Sequence, residues 1–301
     1  MQKILLTGSN GLLGQKLVKL ILEENEYKLI ATSRGENRIQ SIAGFIYEPL
    51  DITNRDDVFS ILEKHQPGYV IHTAAMTNVD QCESEREACI NLNVNAVQHI
   101  TDACEKHNIH LIALSTDFIF DGKNGPYDET APANPISFYG ESKLKGEEIV
   151  KKATCPWTIA RTILVYGITE EMSRSNIILW VKNSLESGKE IHVVNDQWRS
   201  PTLAEDLAMG CYLIAKKNAT GIFNISGKDV LTPYEMAKKT ISFFSLDDKL
   251  MHETDGSRFS QPAKRPPKTG FIIEKAIEKL GYAPHSFDEG IAILANQIKN
   301  K

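Results

Sequence analysis

Lys3-Ile4-Leu5-Leu6-Thr7-Gly8-Ser9-Asn10-Gly11-Leu12-Leu13-Gly14 is the stretch that decides the fold. Its apolar start reads as a short buried strand over Lys3 to Thr7. From Leu12 to Glu24 the period becomes helical, with Leu13, Leu17, Leu20 and Ile21 available to one face. Between them Gly8, Gly11 and Gly14 stand in the spacing G-x-x-G-x-x-G. Glycine lets the backbone turn tightly and approach a pyrophosphate, whose charge then sits at the helix N-terminus. Glycine-rich turns often serve only to reverse the chain. The place of this one, between a strand and an amphipathic helix, is the context a dinucleotide site requires. Gly8, Asn10, Gly11, Leu12 and Gly14 are therefore the candidate phosphate contacts.

Outward from this turn, strands and helices alternate. Strands are expected at Tyr27 to Thr32, Phe45 to Leu50, Tyr69 to His72, Ile109 to Ser115 and Trp157 to Arg161. Helices are expected at Asp56 to Lys64, within Glu83 to His107, and at Tyr139 to Lys151. Such alternation gives an α/β fold, a Rossmann-type doubly wound parallel sheet with ligands beyond the carboxyl ends of the strands. After Arg161 the alternation fades. Ile191 to Val194 and Gly221 to Ile225 read as strands, Pro233 to Phe244 and Ile272 to Leu280 as helices. The expected division is residues 1–165 as an NAD(P)-binding domain and 166–301 mainly as a smaller C-terminal substrate lobe. Segments near 190–195 and 221–225 are expected to return to the main sheet.

The bulk numbers narrow the classes. A chain of 301 residues, 42% hydrophobic and 24% charged, can bury a large core. A net charge of −5 argues against a nucleic-acid partner. No apolar run approaches the length needed to cross a bilayer, and the first residues do not form a signal peptide, so a cytoplasmic protein without a membrane partner is expected. The five cysteines, Cys82, Cys89, Cys104, Cys155 and Cys211, lack C-x-x-C spacing and read as reduced, mostly buried thiols. His107 and His110 read as structural histidines rather than metal ligands.

The end of the second strand bears on the cofactor. An NAD site normally places an acid there for the ribose 2′-hydroxyl. This chain has Ala31-Thr32-Ser33-Arg34 instead. Ser33 and Arg34 can hold a 2′-phosphate, with Arg38 assisting, which favours NADPH and leaves NADH as the alternative. The competing reading makes Arg34 a solvated loop charge.

Tyr-x-x-x-Lys, a proton-transfer pair that shares a helix face, occurs at Tyr139/Lys143, Tyr212/Lys216 and Tyr234/Lys238. Only the first follows the fifth strand, where a nicotinamide would lie; the others read as helix surface.

Around Tyr139 the sequence becomes specific: Tyr139-Gly140-Glu141-Ser142-Lys143, preceded by Ser115-Thr116-Asp117-Phe118-Ile119-Phe120-Asp121-Gly122 and by Pro126-Tyr127-Asp128-Glu129. Together with Ala74-Ala75-Met76-Thr77-Asn78-Val79-Asp80, Asp196-Gln197, Pro201-Thr202, Glu205-Asp206-Leu207-Ala208 and Arg265-Pro266, these motifs resemble the extended short-chain dehydrogenase/reductases of the dTDP-4-dehydrorhamnose reductase type, over almost the whole chain. The resemblance implies NADPH-dependent reduction of a nucleotide-linked 4-keto-6-deoxysugar. It implies Tyr139 as proton donor to the keto oxygen, Lys143 on the nicotinamide ribose, and Thr116 as hydrogen-bond donor to that same oxygen. Asp51 and Ile52 would line the adenine pocket, and Ala74 and Ala75 would let the cofactor pass, although plain small-residue packing explains those alanines equally well. Asn95 matches a family position near the active site, with helix packing as the competing reading.

The chain also departs from the family pattern. Leu164 stands for an aromatic, and Trp198-Arg199 for a small residue after Asp-Gln. Trp198 could stack on a nucleobase, and Arg199 or Arg265 could hold a pyrophosphate; a loop anchor and solvated charges are the alternatives. Some relatives dimerise around a metal held by acids. One such position is Lys16 here, so no metal is expected, while a homodimer stays open. Dehydratases are set aside because Phe118 follows Asp117 where they carry a second acid. Two other readings remain: another nucleotide-sugar reductase or epimerase, and an NADP-binding regulatory subunit resembling that of methionine adenosyltransferase.

Overall fold

The computed structural model describes residues 1–171, 175–259 and 261–299. The strands are β1 (Lys3–Thr7), β2 (Lys28–Ser33), β3 (Ile46–Pro49), β4 (Tyr69–His72), β5 (His110–Thr116), β6 (Trp157–Thr162), β7 (Val165–Tyr166), β8 (Ile191–Val194), β9 (Thr202–Leu203), β10 (Gly221–Asn224) and β11 (Met251–Thr254). Among the described residues, seven of them form one sheet in the order β10-β6-β5-β4-β1-β2-β3, and every pairing in it is parallel. The order reverses between β1 and β4, which opens the crevice where this architecture binds ligands.

Because strand side chains alternate faces, β1 feeds two cores. Ile4 and Leu6 pack with Leu17 and Ile21 of the first helix, Leu12–Glu24, and with Leu207 and Cys211 of the helix Ala204–Lys216. Leu5 packs on the other face with Val58 of the helix Arg55–His65 and Ile100 of the helix Ala96–His107. Burying both faces explains why these strands read as continuous apolar runs. Asn54 caps the helix Arg55–His65 by accepting from the backbone N–H of Asp56 and Asp57.

The C-terminal part has its own cores, one around Tyr166, Ile178, Met236 and Phe287 and another around Val181, Val193 and Ile241. One expectation is corrected here. β10 does return to the main sheet, lying parallel to β6. Ile191–Val194 does not; it pairs in parallel with Met251–Thr254 in a separate two-stranded sheet. Ile191 and Val193 are drawn instead to the apolar face of the helix Ile177–Glu186 that precedes them. The helix Ala204–Lys216, though late in sequence, covers the main sheet on the face it shares with the first helix.

A second difference lies within Glu83 to His107. The helix is not continuous: Arg86–Ile90 and Ala96–His107 flank a π-helical turn over Asn91–Asn95. The extra residue in that turn rotates Asn93 inward and leaves Asn95 exposed.

Candidate active site

The glycine turn is built as its spacing implies. Gly8 has φ +74°, and a Cβ there would stand 2.7 Å from Thr73 Oγ1 and 2.9 Å from Ala74 N. A Cβ on Gly14 would stand 2.2 Å from the Gly8 carbonyl oxygen. The first helix starts at Leu12 with no side-chain cap and no acid in its first turn. Its N-terminal N–H groups and dipole are thereby available to an anion, which is the fit a dinucleotide pyrophosphate needs. Asn10 also makes bonds within the protein. Its side chain donates to Glu36 O (2.8 Å) and accepts from Arg38 N (3.0 Å), tying the turn to the loop after β2.

At that loop Ser33 is half-buried and Arg34 exposed. Arg38 is directed away, its Nε 3.8 Å from Glu171 Oε2. Asp51 accepts from Thr53 N and Oγ1 at 2.9 and 2.7 Å. Those bonds, with a smaller contribution from the Arg34 charge, hold its carboxyl below the usual range. Ile52 is buried, and Ala74 and Ala75 are half-buried beyond β4.

Thr116 ends β5, and Tyr139 and Lys143 lie one turn apart on the helix Phe138–Lys151, whose N-cap Ser137 accepts from Gly140 N. Gly140 allows the close approach, since a Cβ there would stand 2.1 Å from Phe118 O. The phenol of Tyr139 is 7% exposed and packs edge-on to Phe118 at 5.6 Å. Burial pushes its pKa up, and the hydrogen bond with the Thr116 side chain opposes that. Lys143 Nζ donates to Leu114 O at 2.7 Å. Burial lowers its pKa to about 8, opposed by the nearby Glu147 carboxylate. Behind them His72 Nδ1 contacts Thr7 Oγ1 at 2.8 Å, and burial brings its pKa down to about 3. A neutral imidazole thus braces β1 against β4.

Two supports escaped the sequence reading. Asn93, not Asn95, reaches the site: its Oδ1 accepts from Met76 N (2.9 Å), and its Nδ2 donates to Met76 O and Ser142 Oγ (both 3.0 Å). Asn95 instead donates to Asn91 Oδ1 on the surface. Only the π turn reveals this. Glu147 and Arg161, both nearly fully buried, form a two-bond pair at 2.9 and 2.8 Å that joins the helix Phe138–Lys151 to β6.

The expected substrate residues separate. Trp198 is 39% exposed, with its backbone bonded to Pro267 O and Thr269 N. Arg199 is buried. Its Nη1 donates to Trp198 O and Pro267 O, its Nη2 to Gln197 Oε1, and its Nε lies 3.9 Å from Asp117 Oδ2. Arg265 makes a two-bond pair with Asp80 at 3.2 and 2.7 Å. Leu164 is exposed with φ +38°. Lys16 is paired with Glu205 at 2.8 Å. All five cysteines are buried, and among the described residues no helix is long and apolar enough to cross a membrane.

The family model described as the RmlD substrate binding domain matches residues 1–300. A dTDP-4-dehydrorhamnose reductase from Aggregatibacter actinomycetemcomitans is 30% identical over 306 residues, spanning 97% of each chain. Methionine adenosyltransferase 2 subunit beta from Danio rerio is 30% identical over 95% of this chain and 87% of its own length. Among solved structures, a dTDP-4-dehydrorhamnose reductase from Bacillus anthracis in complex with NADP is 27% identical with a TM-score of 0.85, covering 99% of this chain and 100% of that one. A match over essentially the full length, with relatives 30% identical across nearly all of both chains, places this chain in the RmlD substrate binding domain family of extended short-chain dehydrogenases/reductases.

Proposed function

We propose that this protein is an NADPH-dependent reductase of a nucleotide-linked 4-keto-6-deoxysugar, of the dTDP-4-dehydrorhamnose reductase type. The observation that carries the reading is the meeting of Thr116, Tyr139 and Lys143 at the carboxyl end of β5, beside an uncapped helix N-terminus behind a glycine turn. NADPH, when bound, supplies a hydride to the keto carbon. The chain does the rest. Gly8, Gly11 and Gly14 with the helix N-terminus hold the pyrophosphate, Ser33 and Arg34 the 2′-phosphate, and Asp51, Ile52, Ala74 and Ala75 the adenosine and its path. Lys143 donates to the nicotinamide ribose and keeps positive charge beside the phenol. Tyr139 gives its proton to the oxygen that becomes a hydroxyl. Its raised pKa keeps the phenol protonated, which suits reduction. Trp198 is offered to the nucleobase. Arg265 reaches a pyrophosphate only by exchanging Asp80 for it, and Arg199 supports this region from within.

The test is NADPH oxidation by the purified protein against a panel of nucleotide 4-keto-6-deoxysugars. Consumption of one, with the free keto sugar much slower even at saturation, supports the reading, because remote binding energy orients the reacting carbon. The likeness to methionine adenosyltransferase 2 subunit beta supports a second reading, a cofactor-binding regulatory subunit. NADPH binding without turnover on any keto sugar would favour it. A cytoplasmic homodimer is the assembly that accompanies the first reading, and sedimentation velocity checks it.

Two further outcomes are expected. NADPH should bind more tightly than NADH, and Arg34→Ala should cost NADPH about tenfold or more in Kd while hardly changing NADH; calorimetry measures both, and equal constants in the unmutated protein refute the 2′-phosphate assignment. The pH profile of kcat/KM reports the free protein's groups. Burial places the Lys143 pKa near 8 and pushes the Tyr139 pKa up. The ammonium is complete below about 8 and is lost above it, so kcat/KM should fall as pH rises through about 8, with the phenol still protonated. A profile that stays flat well beyond that point would contradict this assignment.

A further inference from the structure

Gln15 is a buried polar residue on the helix that follows the glycine turn. Its Nε2 donates to Asn10 O in the turn and to Glu170 O, both at 3.1 Å, and its Oε1 accepts from Glu170 N at 3.0 Å. A side-chain amide has two protons to give, and both are used here. The peptide it grips lies 155 positions away in the chain. Two residues before that peptide, Ile168 is buried in the C-terminal core with Tyr166 and Phe287. The Glu170 side chain then reaches the loop after β2. Its Oε2 accepts from Gln40 N at 3.1 Å, and its Oε1 accepts from Ser41 Oγ. The same loop carries Arg34, and Asn10 holds its middle through Glu36 O and Arg38 N. One segment of the C-terminal part thus fastens the glycine turn on one side and the loop after β2 on the other. A carboxylate on a loop that receives a 2′-phosphate is repulsive as a charge. What it offers there is acceptor oxygens for charge-assisted bonds.

We propose that Glu170 is a positioning residue for cofactor choice: held by Gln15, it fixes the loop after β2 in the geometry that presents Ser33 and Arg34 to the 2′-phosphate of NADPH. It acts through the loop and not by touching the cofactor. Without it the loop must be ordered when NADPH binds, and that entropy is charged against NADPH alone, because NADH makes no use of the loop's cation. Gln15 supports the glycine turn as well, which serves the pyrophosphate of both cofactors. The inference deepens the NADPH assignment and rests on it.

The experiment is calorimetric titration of the full chain and its variants with NADPH and with NADH. Glu170→Ala should raise the NADPH Kd about three- to tenfold, the worth of the lost hydrogen bonds, and leave the NADH Kd within about twofold. Glu170→Gln keeps an oxygen for Ser41 and should recover part of the NADPH affinity. Ser41→Ala should move NADPH in the same direction as Glu170→Ala. Gln15→Met, which keeps the shape and removes the bonds, should weaken both cofactors by similar factors. In an Arg34→Ala background Glu170→Ala should cost NADPH nothing further. A residue that acted only through its charge would give the opposite sign, so NADPH binding that tightens or stays unchanged in Glu170→Ala overturns the proposal. Losses that multiply with Arg34→Ala, or that fall equally on NADH, overturn it too. A second arm needs no cofactor: by hydrogen exchange the Gln40 amide should lose protection in Glu170→Ala and the Glu170 amide in Gln15→Met. Unchanged exchange overturns the clasp itself. If the unmutated protein binds NADPH and NADH equally, the NADPH assignment falls and takes the positioning role with it, while the exchange arm still judges the clasp.

Discussion

Tyr139→Phe is expected to lower turnover about 10²–10⁴-fold while leaving NADPH affinity nearly unchanged. The substitution removes one oxygen from a buried ring whose edge-on contact with Phe118 and place on the helix Phe138–Lys151 are otherwise kept. In the proposed mechanism the lost atom is the proton donor, so the barrier to reduction should rise without weakening the ground-state complex. The other two Tyr/Lys pairs are the controls. Tyr212, expected on the helix surface, is instead buried in the core beside the first helix, its hydroxyl directed to Glu24 Oε2 at 3.3 Å and Lys216 over its ring at 5.5 Å. Tyr234 carries Lys238 over its ring at 5.6 Å on the helix Pro233–Phe244. Tyr212→Phe and Tyr234→Phe should leave turnover near normal. Steady-state rates and a fluorescence titration with NADPH decide the matter, and an inactive Tyr212→Phe or Tyr234→Phe beside an active Tyr139→Phe would move the active site elsewhere.

The largest effect on stability is expected at Arg161. Burial alone would raise the Glu147 pKa; the Arg161 guanidinium, with help from Lys151, outweighs it and leaves the carboxyl below its usual range. Arg161→Met leaves that buried carboxylate with only the half-exposed Lys151, at 2.9 Å, as a charged partner and should cost about 3 kcal/mol in urea denaturation. Glu147→Met with Arg161→Met removes both charges together and should recover much of the loss. The sign with pH follows from the lowered carboxyl pKa. The pair's contribution is complete above the ordinary carboxylate range and fades as pH falls through the lowered value. There is also a functional readout. Glu147 holds the Lys143 pKa up, so Glu147→Gln should move the basic limb of kcat/KM to lower pH. Single and double variants of equal stability would show that the pair is not what joins the helix Phe138–Lys151 to β6.

How much was legible in the sequence depends on whether the deciding interaction is local. The strands β1 and β4 lie where the apolar runs put them, because a strand buried on both faces must be apolar throughout. The helix Pro233–Phe244 starts at its Thr232 capping box, a signal carried by residues three apart. The glycine turn is legible for the same reason: Gly14 is required by the approach of the Gly8 carbonyl six residues earlier, and Gly8 turns the chain at its own positive φ. The strand Met251–Thr254 left no such mark, since His252 and Glu253 are exposed and it exists through its pairing with β8. The π turn was hidden as well, because one extra residue in a helix barely disturbs its period; yet that residue selects Asn93 over Asn95.

At the site the same line divides what was read from what was not. The sequence by itself determined the architecture, the glycine turn and the approach of Thr116 to the helix carrying Tyr139 and Lys143, since each belongs to a motif continuous along the chain. Only the tertiary structure decided which cations remain available to a ligand. Arg34, Arg199 and Arg265 look alike in sequence. Arg34 is exposed, Arg265 is paired with Asp80 from 185 positions away, and Arg199 is sealed against Asp117. A charge buried without a partner is too costly to persist, so each arginine's role follows from the carboxylate the fold brings to it, and no local pattern records that choice.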